Sequence, residues 1–199
     1  RIYTHIRLED YQVTQKDIAL RAMRNLCLSY LAYTNLGNNV VQKHYNNANN
    51  MTDTLAALNM ATKAALTCRD TLLTDFEQKW QHDGLVMDKW FALQATRPDE
   101  NVLEIVQALM DHPSFNFNNP NRLRSLVGSF ANHNLKAFHH ISGSGYRFLT
   151  DVLIRLNETN PQVAARLIEP LIRFSRFDAQ RQTLMKRALE RLSAVEELS

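Results

Sequence analysis

Glycine and proline are scarce in this 199-residue chain, five of each, and they act as punctuation between periodic segments. Cysteine is scarcer: Cys27 and Cys68 are the only two. Two cysteines make no disulfide framework, which rules out a secreted knottin and fits a reducing, cytoplasmic setting. No run approaches the ~18 uninterrupted apolar residues of a membrane span, and the mean hydropathy is −0.35. Residues 1–10 alternate apolar, polar and charged types and lack the apolar run of a signal peptide. With 45% hydrophobic and 22% charged residues the chain is no disordered tail either.

Charge of one sign is missing too. The balance is 23 basic against 20 acidic residues, a net +3. It is evenly spread, with 11 and 10 up to Asp99, and 12 and 10 beyond it. One local bias lies in 166–191, where Arg166, Arg173, Arg176, Arg181, Lys186, Arg187 and Arg191 face Glu169, Asp178 and Glu190. Such a run can bind nucleic-acid phosphates by counterion release. The plainer reading is a solvated helix face with a few structural ion pairs.

Catalytic motifs are absent. There is no G-x-x-x-x-G-K-[ST], no G-x-G-x-x-G, no G-x-S-x-G and no H-E-x-x-H. Gly143-Ser144-Gly145 lacks the strand and lysine of a phosphate cradle and reads as a helix connector. Among the seven histidines, the adjacent His139 and His140 point about 100° apart on a helix. His133, six positions earlier, is off the i, i+4 face as well, so these read as surface or capping residues. The cysteines read as buried and inert, and Trp80 and Trp90 as packing. No metal site is expected in this chain.

What is present is helical periodicity. Ala19, Met23, Leu26, Cys27 and Tyr30 form one apolar stripe on a helix that Asp17 could cap. Asn50 opens a second helix through Leu55, Leu58 and Met60. A third runs over 70–82, with Gly84 as its terminal glycine. A fourth, over 85–96 with Trp90, Phe91 and Leu93, is stopped by Arg97-Pro98. Val102, Val106 and Leu109 precede His112-Pro113. Asn119-Pro120 and Asn160-Pro161 are caps followed by proline at the first helical position. They open Leu123, Leu126, Val127, Phe130 and Val163, Leu167, Leu171. Leu149, Val152, Leu153 and Leu156 lie between them. A last helix spans 178–198 with Leu184, Ala188, Leu192 and Val195. No segment alternates with period two, so the fold class is all-α. About ten helices on short loops, recurring in pairs of roughly 30 to 40 residues, predict a curved array of HEAT/armadillo-like antiparallel pairs, an α-solenoid. A compact bundle is the second choice.

Longer words carry the reading further. Tyr45-Asn46-Asn47-Ala48-Asn49-Asn50-Met51-Thr52-Asp53 with Leu55-Ala56-Ala57-Leu58 comes first. Cys68-Arg69-Asp70 and Gly84-Leu85-Val86-Met87-Asp88-Lys89-Trp90-Phe91 follow. Then come Asn119-Pro120-Asn121-Arg122-Leu123-Arg124-Ser125-Leu126, Gly143-Ser144-Gly145-Tyr146, and Asn160-Pro161-Gln162-Val163-Ala164 with Arg166-Leu167-Ile168-Glu169-Pro170-Leu171. In this order they resemble the C-terminal helical part of the bacterial aminopeptidase N family, from about Asp17 onward. The resemblance implies a lead-in at 1–16 and a C-terminal α-helical domain at 17–199 of a zinc exopeptidase that removes N-terminal residues from peptides. The zinc and its H-E-x-x-H ligands would belong to a preceding catalytic domain. This chain would cover that domain, enclose the cavity and control access, with no catalytic residue of its own. The family continues for another short helix beyond Glu196-Glu197. By position in the matching words, Arg124, Gln162 and Arg166 are the cavity-facing candidates. A guanidinium suits a peptide carboxylate or carbonyl; alternatively the arginines pair with acids such as Glu169. The expected partners are the catalytic domain of the same polypeptide and a peptide, with no nucleic acid and no membrane.

Two further expectations follow. The start at Arg1 without a methionine favours an excised piece, and such a piece would expose an apolar face where its partner domain packs. The competing reading is a stand-alone helical scaffold binding protein or peptide on a concave face.

Overall fold

The computed structural model describes residues 2–6 and 11–195. Among these there is no strand, and the all-α reading holds. The chain divides into two compact units, Arg1–His82 and Asp83–Ser199.

The first unit holds α1 (Ile2–His5), α2 (Gln15–Leu31), α3 (Gly37–Asn46), α4 (Met51–Lys63) and α5 (Arg69–Trp80). Helix α3 packs on α4, and α4 also meets α2 and α5. Leu28, Val41, Ala57, Leu58, Leu73 and Phe76 form the centre of the core. Asn50 caps α4, its side-chain oxygen accepting from the Asp53 amide at 3.0 Å. Thr14, not Asp17, caps α2, accepting from the Asp17 amide at 3.1 Å; Asp17 lies in the first turn, where its charge favours the positive helix end.

Helix α2 is turned opposite to its hydrophobic pattern. Arg21 and Leu28 face inward, while Met23, Leu26 and Tyr30 are 48%, 53% and 74% exposed. Polar groups explain the inversion. Asp53 is buried and accepts from Asn25 at 3.0 Å and from Asn50 at 3.1 Å, with the Arg24 guanidinium at 3.9 Å. His44 is also buried, its Nδ1 2.8 Å from the Tyr3 hydroxyl. Burial holds the His44 pKa down at about 4, and Arg24 adds to the effect, against the pull of Asp53. A buried carboxylate must be paired, so the side of α2 that carries Arg24 and Asn25 is the one turned to α4.

The second unit holds α6 (Gly84–Ala95), α7 (Val102–Leu109), α8 (Pro120–Leu123), a π-helical turn (Arg124–Gly128), α9 (Ser129–His133) and α10 (Leu135–Phe138). It continues through α11 (Ser144–Asn157), α12 (Pro161–Leu167), α13 (Glu169–Ile172), a 3₁₀ turn (Arg173–Arg176) and α14 (Ala179–Ser193). Gly84 does not end α5: Asp83 accepts from the Leu85 and Val86 amides at 3.0 and 3.1 Å, which makes Gly84 the first residue of α6. Gly143-Ser144-Gly145 is a connector only at Gly143, whose φ is +68°. Ser144 and Gly145 already belong to α11, and a Cβ at Gly145 would overlap the Phe138 carbonyl. That close approach packs α10 against α11, where Phe130, Phe138 and Tyr146 meet edge-on at 5.9 and 5.4 Å. Asp178 caps α14, accepting from the Arg181 amide at 3.1 Å; the residues 196–198 assigned to this helix from sequence lie outside the described residues.

Candidate functional site

Two asparagine–proline starts position the candidate residues. At α8, Asn119 accepts from the Asn121 and Arg122 amides at 3.0 and 3.3 Å. Arg122 then turns inward. Its Nε donates to Asp88 at 2.6 Å, its guanidinium nitrogens to the carbonyls of Gly84 (2.9 Å) and Ser114, and it lies 4.9 Å from the Phe91 ring centre. With Arg122 anchored, Arg124 emerges two residues later on the opposite side of the helix, exposed. It donates to the Asn121 side chain at 3.2 Å and meets no acid among the described residues.

At α12, Asn160 accepts from the Val163 amide at 3.2 Å. Val163, Ala164 and Leu167 face the core, which leaves Gln162 and Arg166, four apart, together on the exposed side. Neither has a hydrogen bond or ion pair among the described residues. Glu169, the acid considered for Arg166, pairs with Arg173 instead. Gly128 links the two helical segments: a Cβ there would lie 3.4 Å from Leu167 and 3.6 Å from the Arg124 Cβ. Arg124 thus sits in the neighbourhood of the α12 end that carries Arg166. Arg166 occupies the last turn of the seven-residue α12, away from its positive N-terminal end.

The basic run at 166–191 is largely engaged. Arg173 pairs with Glu169, Arg181 with Asp178 at 2.7 Å, Arg191 with Asp151 at 2.6 Å, and Lys186 lies over Phe174 at 5.2 Å. The histidines depart from the surface reading. His44 and His139 are buried, the latter with Nδ1 3.0 Å from the Tyr146 hydroxyl. Burial and then the Arg181 charge hold the His139 pKa at about 4. Only the repeated aromatic spacing around it could have signalled this. Cys68 is buried at the start of α5, and burial raises its thiol pKa, which keeps it protonated and unreactive. Among the described residues no group of three His, Cys, Asp or Glu side chains converges. No helix among them is long and apolar enough to cross a membrane.

Comparison with known proteins places this geometry. The family described as a domain of unknown function (DUF3458_C) with ARM repeats matches residues 1–199. The chain belongs to this family. ARM repeats are stacked helix units, in accord with the helix pairs of both units. Over its 199 residues the chain is 90% identical to a protein of Haemophilus influenzae named aminopeptidase N. It is 54% identical to aminopeptidase N of Escherichia coli K12 over 200 residues. In both cases the whole chain is covered, and it spans 23% of the relative's length. A crystal structure of Legionella pneumophila aminopeptidase A in complex with aspartic acid superimposes with a TM-score of 0.88 at 28% identity, covering 98% of this chain and 25% of that one. The family resemblance read from the sequence is thus confirmed: the chain corresponds to the C-terminal domain of proteins named aminopeptidase N.

Proposed function

We propose that this ARM-repeat domain works as the non-catalytic C-terminal part, residues 17–199 after a lead-in at 1–16, of a zinc-dependent aminopeptidase in the cytoplasm. In this reading it covers the catalytic domain of the same polypeptide, encloses the cavity and controls which peptides reach the metal. The 90% identity to a quarter-length segment of a protein named aminopeptidase N carries the reading. The exposed Gln162 and Arg166, with no hydrogen bond or ion pair among the described residues, and Arg124, held there only by a neutral amide, support a role in contacting peptide. A free guanidinium offers two parallel N–H donors to a carboxylate or a carbonyl pair. The outward stripe of α2 supports a covering partner elsewhere in the polypeptide. Zinc, when bound by the parent enzyme, would polarise the scissile carbonyl and activate water; this domain's residues hold and orient the peptide beyond that bond.

The test is catalytic. Purified, metal-replete chain incubated with an aminoacyl-anilide is expected to show no turnover, while the longer polypeptide cleaves it. Turnover by the chain alone would overturn the reading.

A further inference from the structure

Past Arg166 the chain passes through α13 into the 3₁₀ turn, and there the second unit holds a cavity of about 180 Å³. Asn132, His139, Pro170, Arg173, Arg176 and Phe177 are in its lining. Two of its lining segments follow in sequence those that carry the candidate residues. Asn132 lies one turn beyond Gly128, which abuts Leu167, and donates to the Gly128 carbonyl at 2.9 Å. Pro170 and Arg173 continue the segment that begins with Gln162 and Arg166.

The lining is built and electropositive. His139 is only 8% exposed, packs tilted against Phe177 at 4.0 Å between ring centres, and is fixed by Tyr146 through Nδ1. Its carbonyl accepts from Arg181 Nε at 2.7 Å, which ties the α10–α11 connection to α14. Its Nε2 has no partner among the described residues. With the Tyr146 hydroxyl donating to Nδ1, the neutral imidazole carries its hydrogen on Nε2, the tautomer that this inference requires. Arg173 is occupied by Glu169, but Arg176 has no hydrogen bond or ion pair among the described residues. Among the described residues no acidic side chain lines the cavity.

One free guanidinium, one neutral N–H donor and apolar walls of Pro170 and Phe177 match a single negative charge on a planar group. The volume is below the ~300 Å³ at which drug-sized sites begin, so it takes one end of a ligand. We infer that this cavity takes the C-terminal carboxylate of a peptide, with Arg176 as the ionic partner and His139 Nε2–H as the second donor. The inference rests on the peptide-contacting reading of this domain and adds the part of the peptide recognised: the free carboxyl end, remote from the bond that is cut. A free oxyanion such as phosphate shares some of this chemistry, but its second charge would meet a neutral imidazole.

The experiment is a titration of the ¹⁵N-labelled 199-residue chain with tetra-alanine as free acid, with its C-terminal amide, and with inorganic phosphate. The His139 ring and Arg176 Nε–H resonances are followed by NMR. The expected result is saturable shifts with the free acid, at least tenfold weaker binding of the amide, and His139 carrying its proton on Nε2. Arg176→Gln should weaken the free acid about tenfold and leave the amide unchanged; Arg176 is exposed and unpaired, so the variant keeps its fold. Equal affinity for acid and amide, no binding of either, saturation by phosphate with none by the free acid, or a proton on Nδ1 would each overturn the inference. No turnover is read, so failure of the aminopeptidase reading and failure of this site are seen separately.

Discussion

Leu26→Glu should leave the isolated chain almost unchanged and destabilise the longer polypeptide. Leu26 lies on the outward stripe of α2 with Met23 and Tyr30, and the three are 53%, 48% and 74% exposed. Completing the burial of such half-covered side chains stabilises by about 1 kcal/mol each, so a covering partner gains about 3 kcal/mol from the stripe. In the isolated chain the carboxylate meets water, and the change should stay within about 0.5 kcal/mol. In the longer polypeptide the substitution loses the Leu26 transfer energy and buries a charge, for a cost of about 3 kcal/mol or more. Urea unfolding of both forms measures the difference. Sedimentation of the isolated chain at high concentration should also show self-association that Leu26→Glu abolishes. A loss above about 1.5 kcal/mol in the isolated chain, or none in the longer one, would refute the reasoning that chain outside this domain covers the stripe.

Removal of the buried Arg122 guanidinium by Arg122→Met strands Asp88 and should cost about 3 to 5 kcal/mol; adding Asp88→Leu should recover most of it, read by thermal melts of the single and double variants. Stability should be full above pH 6.5 and fall between pH 6.5 and 4, because His44 and His139 titrate near 4 when folded and near 6.5 when unfolded, so the unfolded chain binds the extra protons. After solvent screening each should contribute about 1 to 2 kcal/mol of this loss; urea midpoints at pH 7 and 4.5 measure it, and His44→Gln should flatten the profile.

Much of the fold is legible because its starts are chemical. Asn119, Asn160 and Asn50 accept the amides their positions imply, and the stripe Leu149, Val152, Leu153 and Leu156 is buried as its spacing requires. The orientation of α2 was not legible, because a period names the apolar face without naming what it packs on. There the burial of Asp53 and His44, contributed by α4 and α3, decides the inward side. Gly84 misleads for a related reason: a glycine after a helix reads as a stop, yet the Asp83 carboxylate beside it captures the next helix's free amides. For the candidate site, the residue words identify Arg124, Gln162 and Arg166, but the local position of Arg166 depends on where α12 ends. Periodicity does not show the break between Leu167 and Glu169. The surroundings of His139 are not legible, since Tyr146 reaches it from α11, and Phe177 and Arg181 from around the start of α14.

The most direct measurement is the KM of the longer polypeptide against peptide length, with Arg166→Ala beside the parent. If Arg166 holds peptide beyond the scissile bond, KM for longer peptides should rise by an amount worth about 1 to 3 kcal/mol, with short chromogenic substrates and the melting temperature almost unchanged. Equal effects on dipeptides and longer peptides, or a lower melting temperature with no dependence on length, would contradict a peptide-contacting role for this domain.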